Sequence, residues 1–436
     1  MTSTLGTPDA GTGEQSRRMG KIVASSFTGS LIEYYDFLLY STASATVFGQ
    51  VFFSDLDPVT GTIASFGTFA AGYLARPLGG VIFGHYGDKL GRKKMLVLTM
   101  TIMALVSFAI GLLPTYAAIG AAAPVLLILL RVIQGVAIGG EWGGAVLMTA
   151  EHATTRRGLW ASFTNAGAPA GMLLSTAVMA VMASVTTPDQ FLAWGWRVPF
   201  LLSIVLLGVG LWIRLSVEES PAFSAMKEQK KEAKVPLFDV LRNHPRNLFL
   251  AAGVGLGAFI IQGVLTTFLI SYALGAGFER STVLNALTIS SAGAILGIIG
   301  WSALSDRLGR RPVVMTAAAV TAVYGYLLFP MIDSGSTALL VLAAVLGQSV
   351  IHAAFYGPLA ALMSEVFSTE SRYTGASLGY QLAGMGAGIS PLLFAWLQSA
   401  GAGTMLLSTV IAAFCALSIV CLLALGETKD RELIDA

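Results

Sequence analysis

Charged residues are scarce in this chain of 436 residues. Asp, Glu, Lys and Arg make up 11% of it, against roughly 25% in ordinary soluble domains. Apolar residues make up 55% of the chain, and its mean hydropathy is +0.74. So few charges exclude water as the main solvent of this chain.

Cysteine is almost absent as well. Cys415 and Cys421 lie six residues apart in one apolar run, which places them about 240° apart around a helix. We therefore expect neither a disulfide nor a metal site. Because the sequence has no nucleophile constellation and no phosphate loop, it predicts no catalytic residue, no cofactor and no enzymatic activity. No basic block resembles a nucleic-acid-binding arm, and we expect no nucleic-acid partner.

Long apolar runs, in contrast, recur along the whole chain. Each holds about 20 predominantly apolar residues, enough to cross a hydrocarbon core of roughly 30 Å. Backbone groups in lipid must bond within their own segment, so the runs predict transmembrane helices and an all-α integral membrane fold. The twelve predicted spans lie near residues 22–48, 61–84, 95–113, 122–149, 157–184, 194–215, 247–273, 283–304, 313–332, 337–363, 373–398 and 402–425.

The basic residues set the predicted orientation. They concentrate in alternate connections between spans, and the opposite connections hold only Arg280. Under the positive-inside rule both termini are cytoplasmic. Residues 1–19 have no apolar core, which predicts a disordered cytoplasmic tail and no cleaved signal peptide. We expect a multi-pass protein of a bacterial-type inner membrane that functions as a monomer.

A short charged loop occurs twice, as Asp88-Lys89-Leu90-Gly91-Arg92-Lys93 and as Asp306-Arg307-Leu308-Gly309-Arg310-Arg311. The two copies differ only by Lys/Arg exchanges and are separated by half of the chain. This repeat indicates two equivalent halves, an arrangement typical of secondary transporters. The predicted domains are helical bundles at residues 20–215 and 247–425, a cytoplasmic linker at 216–246 and a cytoplasmic tail at 426–436.

Several motifs resemble one family. Gly84-x-x-x-Asp88-x-x-Gly91-Arg92-Lys93 is similar to the signature between helices 2 and 3 of the major facilitator superfamily. The segments 33–37, 75–80 and 139–145 resemble the metabolite:proton symporters of that superfamily. The resemblance implies two pseudo-symmetric six-helix bundles that import small molecules with protons by alternating access.

Ionisable side chains inside a span require a partner or a wet cavity, since each costs about 2.5–3.5 kcal/mol at mid-bilayer on insertion scales. Glu33, Asp36 and Tyr40 share one face of span 1. In sugar–proton symporters an acid in span 1 opposes an Arg in span 4. The resemblance therefore implies that Asp36 carries the proton and Arg131 is its counter-ion, with Glu33 as the second choice for carrier. The alternative is a structural ion bridge between spans 1 and 4.

Span 4 carries Arg131, Gln134 and Glu141 on one face. An anionic substrate drawn to Arg131 would leave Asp36 poorly compensated, so substrate binding and protonation of Asp36 would be linked. Polar and aromatic residues elsewhere would complete a substrate cavity. These candidates are Tyr40, Asn165, Gln262, Gln348, His352, Tyr356, Tyr380 and Gln381. For His352, a packing role is the alternative.

The repeated loops predict a cytoplasmic gate. In the superfamily the acid of the first loop meets the N-terminus of helix 11, and the Arg pairs with an acid below helix 4. The resemblance assigns these roles here to Asp88 and Arg92, with Glu151 as the paired acid and Gly84 and Gly91 shaping the loop. The symmetric set is Asp306, Arg310 and Glu365. Charges that only set topology are the alternative.

The leading functional hypothesis is proton-coupled import of a small organic acid, such as a shikimate-like or aromatic mono- or dicarboxylate. Symport of a zwitterion such as proline or glycine betaine is the near alternative. Proton-antiport drug efflux and a transport-dead nutrient sensor are the others. No cofactor is expected apart from the proton as coupling ion.

Overall fold

In the computed structural model, residues 10–90, 92–140, 157–215, 242, 244–367 and 372–428 are described, and these ranges are almost entirely helical with no β-strand. The helices are α1 Ala10–Ala43, α2 Pro58–Leu90, α3 Arg92–Leu112, α4 Ala122–Gly139, α5 Arg157–Val185, α6 Pro188–Ile213, α7 Pro245–Gly275, α8 Arg280–Leu308, α9 Arg310–Asp333, α10 Thr337–Glu365, α11 Arg372–Ser399 and α12 Thr404–Leu425.

Each helix overlaps one predicted span, and nine of the described helices are long and apolar enough to cross a membrane on their own. The other three, α1, α2 and α11, are not among these nine. They carry buried polar groups such as Asp36, Arg76 and Gln381. Side chains of this kind face the inside of a helical bundle, because lipid offers them no partner.

The ends of the predicted elements need correction in two places. Helix α1 begins at Ala10, so the prediction of a disordered tail is wrong for residues 10–19. Helix α6 begins at Pro188, several residues early, because Thr187 forms a capping box with Gln190 and Pro188 occupies the first turn. Most of the predicted linker lies outside the described residues, and α7 begins at Pro245.

The helices form two groups of six that meet along two pairs of helices. Helix α2 packs on α11, and α5 packs on α8. The repeat relates α2 to α8 and α5 to α11, so it exchanges these two pairs. Within the first group α1 packs on α5 and α2 on α4; within the second α7 packs on α11 and α12.

Glycines allow α2 and α4 to approach closely. A Cβ atom on Gly79 would lie 1.8 Å from the carbonyl oxygen of Val136, and one on Gly135 would lie 2.0 Å from that of Gly72. Only glycine fits at such contacts. Close backbone approach supplies the dispersion contacts that hold helices together in lipid, where apolar burial favours no partner.

A π-helical turn at Ser44–Phe48 continues α1, and α7 contains one at Val264–Phe268, at a similar position of the second half. Two further π segments are Phe191–Gly195 in α6 and Val345–His352 in α10, and the latter contains Gln348. Such turns are frequent at functional sites because they shift the faces to which the following side chains belong.

At the end of the bundle opposite the repeated loops, Asp57 caps the start of α2. Its Oδ1 accepts the backbone N–H groups of Val59 and Thr60, each at 3.1 Å. Hydrogen bonds from the Thr60 side chain and backbone hold the pKa of this carboxyl below its usual value. The cap fixes where the second helix begins.

Candidate substrate and proton site

Asp36 is buried at the middle of α1, with 1% of its surface exposed. Its Oδ1 accepts a hydrogen bond from the Ser203 hydroxyl on α6, and the Ser107 hydroxyl on α3 lies beside the carboxylate. Its Oδ2 has no hydrogen-bond partner. Among the described residues, hydroxyl groups and no cation therefore surround this acid.

Arg131 is fully buried on α4. Its Nη1 donates to Oε1 of Gln134 at 2.5 Å, whereas Nε and Nη2 have no hydrogen-bond partner. The guanidinium lies over the rings of Phe37 and Tyr40, with Cζ 3.8 and 4.2 Å from the centroids. Among the described neighbours of Arg131, aromatic rings and no carboxylate therefore stabilise its charge.

The expectation that Asp36 and Arg131 form an ion pair is wrong for this conformation, and so is the alternative of a structural bridge. Because neighbouring residues on a helix point about 100° apart, Arg131 stacks on Phe37 while Asp36 turns toward Ser203. The two charges are connected indirectly. Gln134 accepts from Arg131 and donates to the Ser107 hydroxyl at 2.8 Å, and Ser107 lies beside Asp36.

A second buried cation stands close to the first. Arg76 of α2 is 1% exposed, and its Cζ lies 5.3 Å from the Phe37 centroid and 5.0 Å from that of Tyr73. Its Nε and Nη2 have no hydrogen-bond partner. Phe37 therefore contacts two guanidinium groups, neither of which has an acidic partner among the described residues.

A small cavity of about 20 Å³ lies between the two halves. That volume holds about one water molecule. It is lined by Leu38, Ala168, Pro169, Met172, Gln262, Thr266, Ala294, Ile298, Gln348, His352 and Tyr356. The structure thus brings together four of the predicted substrate residues, Gln262, Gln348, His352 and Tyr356.

The polar groups of this cavity are held in different ways. Gln348 accepts from Ser290 at 2.7 Å and donates to Ser291 at 3.3 Å, whereas Oε1 of Gln262 has no hydrogen-bond partner. The ring of His352 stacks on Tyr356 at a centroid distance of 5.2 Å, and its Nε2 has no partner. Two of these groups therefore remain available to a solute.

Three tyrosines connect the cavity to Arg76. The hydroxyl groups of Tyr356 and Tyr380 are 2.5 Å apart, and those of Tyr380 and Tyr34 are 3.2 Å apart. The Tyr34 hydroxyl lies beside Arg76. Tyr34 belongs to the first half and the other two to the second, so this tyrosine cluster crosses the interface between the halves.

The remaining predicted substrate residues have different positions. Gln381 donates to the carbonyl oxygen of Gly139 at 2.9 Å, and Asn165 donates to that of Tyr356 at 3.4 Å, so both bridge the halves. Tyr40 and Gln134 contact Arg131 and do not line the cavity. Glu33 is buried on α1. Glu141 lies outside the described residues.

At the end of α8 that the sequence predicts to be cytoplasmic, Asp306 accepts the backbone N–H groups of Gly158 and Leu159, both at 2.9 Å. These groups belong to the first turn of α5, whose dipole favours a carboxylate. Arg310 contacts Asp306 at 2.7 Å and Glu365 at 3.2 Å. The second-half set of predicted gate residues is therefore assembled and tied to the first half.

Two residues after α12 join this cluster. Glu427 accepts the backbone N–H groups of Arg310 and Arg311 at 3.0 and 3.1 Å, and the Thr428 hydroxyl donates to Glu365 at 2.7 Å. For the first-half set, Gly84 and Asp88 lie in the last turns of α2 and Arg92 begins α3. Their side chains are outside the described part, as are Gly91 and Glu151.

The halves also meet at the end of the bundle opposite this cluster. The hydroxyls of Ser41 and Thr267 are 2.5 Å apart, and Arg280 donates to the carbonyl oxygen of Thr46 at 3.3 Å. The described residues thus join the halves at both ends, with a cavity of about 20 Å³ between them.

Comparison with known proteins identifies the family. The family described as "Sugar (and other) transporter" matches residues 21–248, more than half of the chain, and the "Major Facilitator Superfamily" matches residues 280–435. The chain belongs to the major facilitator superfamily. It is a multi-pass secondary transporter, not an enzyme.

Full-length relatives place it among the metabolite:proton symporters of that superfamily. The inner membrane metabolite transport protein YhjE of Escherichia coli is 37% identical, with 95% of both chains covered. The Escherichia coli shikimate transporter is 38% identical over 91% of both chains. The proline/betaine transporter of Salmonella typhimurium is 32% identical over 95% of this chain and 85% of its own.

Solved structures confirm the predicted fold. The proton:xylose symporter XylE bound to 6-bromo-6-deoxy-D-glucose superposes with a TM-score of 0.74 at 17% identity, over 96% of this chain and 98% of that one. A partially occluded inward-open form of the Escherichia coli xylose transporter gives 0.73 at 18% identity, over 96% and 100%.

Sequence reasoning missed four contributors and left a fifth open. Arg76 is a charge inside an apolar run, and beside Pro77 the sequence is equally consistent with support of the cavity wall or of an intracellular network and with a helix-end anchor. Tyr34, Ser107 and Ser203 showed no signal, since such residues are common in membrane helices. Glu427 was counted only as part of the tail.

Proposed function

We propose that this transporter imports a small organic acid together with a proton across a bacterial inner membrane. Both termini face the cytoplasm, the monomer is the working unit, and no cofactor beyond the coupling proton takes part. Support comes from one arrangement at the centre of the first half. There, a buried acid, Asp36, lacks a cation, while two buried cations, Arg131 and Arg76, lack an acidic partner among the described residues.

This arrangement suits an anionic cargo. An unpaired guanidinium in a low-dielectric interior costs several kcal/mol, which two cation–π contacts offset only in part. A carboxylate entering between the halves supplies the missing negative charge. The polar groups of Gln262, Gln348 and His352 then bind the hydroxyl or carbonyl groups of the cargo.

Coupling follows from the connection between the charges. Arg76 and Arg131 both contact Phe37, so an anion that binds near Arg76 also acts on Arg131, and a change at Arg131 reaches Asp36 through Gln134 and Ser107. Anion binding then alters how well the Asp36 carboxylate is compensated. Protonation of Asp36 and binding of the anion are therefore linked, and the linkage is reciprocal. Glu33, also buried on α1, is the second candidate for the proton carrier.

The net charge that crosses the membrane with the cargo and its proton decides which gradient drives uptake. A potential of 100 mV contributes about 2.3 kcal/mol per transferred charge. A monoanion moving with one proton carries no net charge, so its uptake depends on the pH gradient alone. A zwitterion moving with one proton would also use the potential.

Zwitterion symport is the second candidate function, and one observation favours it. Phe259 contacts Tyr356 and Tyr380 edge to face, with centroids 5.7 and 5.0 Å apart. Aromatic clusters of this kind bind quaternary ammonium groups.

The proposal also assigns a role to the contacts at the cytoplasmic end. Asp306, Arg310 and Glu365 close that end against α5 and release when the halves rock, and Asp88, Arg92 and Glu151 form the equivalent gate in the first half. Charge-assisted hydrogen bonds such as those of Asp306, Arg310 and Glu365 can form in one conformation and break in another.

Uptake into proteoliposomes tests the proposed function. A panel of radiolabelled acids and zwitterions, including shikimate, citrate, proline and glycine betaine, is offered with the pH gradient and the potential imposed separately. We expect at least one organic acid to accumulate when the lumen is alkaline. Accumulation of betaine only, with a response to the potential, favours the second candidate. No response of acid uptake to the pH gradient would contradict proton symport.

A further inference from the structure

We propose that Arg76, with the hydroxyl groups of Tyr34 and Tyr380, binds the carboxylate of the cargo. This assignment rests on the proposed function and replaces Arg131 as the anion-binding residue. The two buried arginines, Arg76 and Arg131, have different surroundings.

Arg131 is enclosed within the first half. The rings of Phe37, Tyr40 and Phe69 lie 3.8, 4.2 and 5.0 Å from its Cζ. A Cβ atom on Gly72 would lie 2.4 Å from its Nε, so α2 covers the remaining side. Neither arginine lines the cavity between the halves, so the enclosure of Arg131 within one bundle is what separates the two. A cargo molecule would reach Arg131 only if helices of one bundle separated.

Arg76 instead lies where the two halves meet. It belongs to α2, which packs on α11 of the other half. A Cβ atom on Gly384 of α11 would lie 3.9 Å from Nη1 of Arg76. When the halves rock apart, α11 moves away from this guanidinium without any change inside the first bundle, which exposes it to the space in which cargo travels.

The chemistry around Arg76 matches a carboxylate. The guanidinium donates in a planar fork, and two of its nitrogens, Nε and Nη2, have no partner. The adjacent hydroxyls of Tyr34 and Tyr380 add neutral donors that bring no competing negative charge. Two carboxylate oxygens accept from such a set without leaving a buried charge unpaired.

The tyrosine cluster connects this position to the cavity. Tyr356 lines the cavity and its hydroxyl lies 2.5 Å from that of Tyr380, which lies 3.2 Å from that of Tyr34. A cargo whose carboxylate contacts Arg76 thus extends its remaining polar groups toward Gln262 and His352. Because it would contact tyrosines of both halves, its binding would favour the conformation in which the halves are joined at both ends.

Binding of shikimate and of its uncharged methyl ester tests the assignment. Both are titrated calorimetrically into the full-length protein in detergent at neutral pH, where no gradient exists. We expect the wild type to bind shikimate about tenfold or more tighter than the ester, since the ester lacks the charge that hydrogen bonds to a guanidinium. Arg76→Gln should lower this ratio to about one, and Arg76→Lys should keep an intermediate value.

Further variants separate this role from a structural one. Tyr34→Phe should lower the ratio several-fold. Two control variants should not change it: Tyr326→Phe, at an exposed tyrosine of α9, and Arg246→Gln, at an exposed arginine. Arg131→Gln should weaken coupling to the pH gradient and retain the preference for the acid. Thermal unfolding of each variant checks that it is folded.

Three outcomes overturn the assignment: an unchanged ratio in folded Arg76→Gln, loss of the ratio in Arg131→Gln instead, or a wild type that does not distinguish acid from ester. Failure of the proposed function shows itself differently, as a wild type that binds shikimate through Arg76 and yet accumulates no acid under a pH gradient.

Discussion

At the residue scale, the indirect connection between Asp36 and Arg131 separates this site from a simple ion pair. A direct pair would be strong and would hold both charges in one state. With Gln134 and Ser107 between them, each charge responds to the other more weakly. Such an arrangement permits a proton to leave Asp36 while Arg131 keeps its contacts with Phe37 and Tyr40.

The connection through Gln134 can be tested directly. We expect Gln134→Leu to reduce accumulation of cargo under a pH gradient while exchange at equal pH continues, because the amide that joins Arg131 to Ser107 is lost. Thermal stability should also fall, since a hydrogen bond to a charged group contributes about 1.5–3 kcal/mol. Uptake and counterflow in proteoliposomes measure the two activities.

Gln398→Leu is the matched control, because Gln398 is exposed near the end of α11. It should leave both activities unchanged. Equal loss of accumulation and exchange in Gln134→Leu would indicate a damaged fold and would refute a specific role in coupling.

At the element scale, the start of α5 is the point where the two halves contact at the cytoplasmic end. Gly158 is required there, since a Cβ atom would lie 2.4 Å from Nη1 of Arg310 and 2.8 Å from Oδ1 of Asp306. Helix α5 can approach α8 this closely only because its first turn has no side chain at that position.

Gly158→Ala should therefore open the cytoplasmic end. Overpacking of this kind costs about 1–3 kcal/mol. The cost destabilises only the conformation in which α5 contacts α8, because the clash disappears when the halves separate at this point. A cysteine introduced as Ala168→Cys in the cavity, with Cys415 and Cys421 replaced, should react several-fold faster with a maleimide added from the cytoplasmic side. The reaction is quenched at successive times, and the labelled fraction of the protein gives the labelling rate.

Gly300→Ala provides the control, since nothing lies within 4 Å of a Cβ at that position of α8. Its labelling rate should equal that of the parent protein. No acceleration in Gly158→Ala would argue against a gate at this contact.

The helices themselves were predictable from sequence, because apolar runs of the length of a bilayer leave little choice of structure. The residues at which the helices begin and end were less predictable. Local capping at Thr187 moved the start of α6, and α1 extends back to Ala10 without an apolar signal. The resemblance to the superfamily implied a cluster of an acid, an arginine and a second acid in the first half, and the repeated loop carried that expectation over to Asp306, Arg310 and Glu365.

The direction of side chains inside the bundle was not predictable to the same degree. Asp36 and Arg131 were expected to meet, and the stacking of Arg131 on Phe37 could not be inferred from helical spacing alone. Spacing gives the face of a residue relative to its own helix, whereas the rotation of each helix against its neighbours depends on glycine contacts such as those of Gly79 and Gly135. Gln262, Gln348, His352 and Tyr356 do line one cavity, and their contact with a substrate stays a prediction.

At the scale of the whole molecule, ion pairs at the end that the sequence predicts to be cytoplasmic and hydrogen bonds at the opposite end join the halves in one conformation. Alternating access requires that one set breaks while the other holds. The set at the opposite end contains the hydroxyl pair of Ser41 on α1 and Thr267 on α7, 2.5 Å apart.

A disulfide at that pair should stop transport. In a background without Cys415 and Cys421, Ser41→Cys with Thr267→Cys should cross-link on mild oxidation, since the side chains already touch. Uptake should fall to the level of empty liposomes and return on reduction. Each single cysteine is the control, and a cross-linked protein that transports at the full rate would refute closure at this position.

Proton movement with the cargo tests the central claim most directly. Proteoliposomes containing a pH-sensitive dye are given shikimate with the potential clamped at zero, and lumenal pH is followed for wild type and Asp36→Asn, with protein-free liposomes correcting for leak of the undissociated acid. The account predicts lumenal acidification with the wild type and none with Asp36→Asn, although that variant still exchanges shikimate. Equal acidification by the two proteins would contradict it.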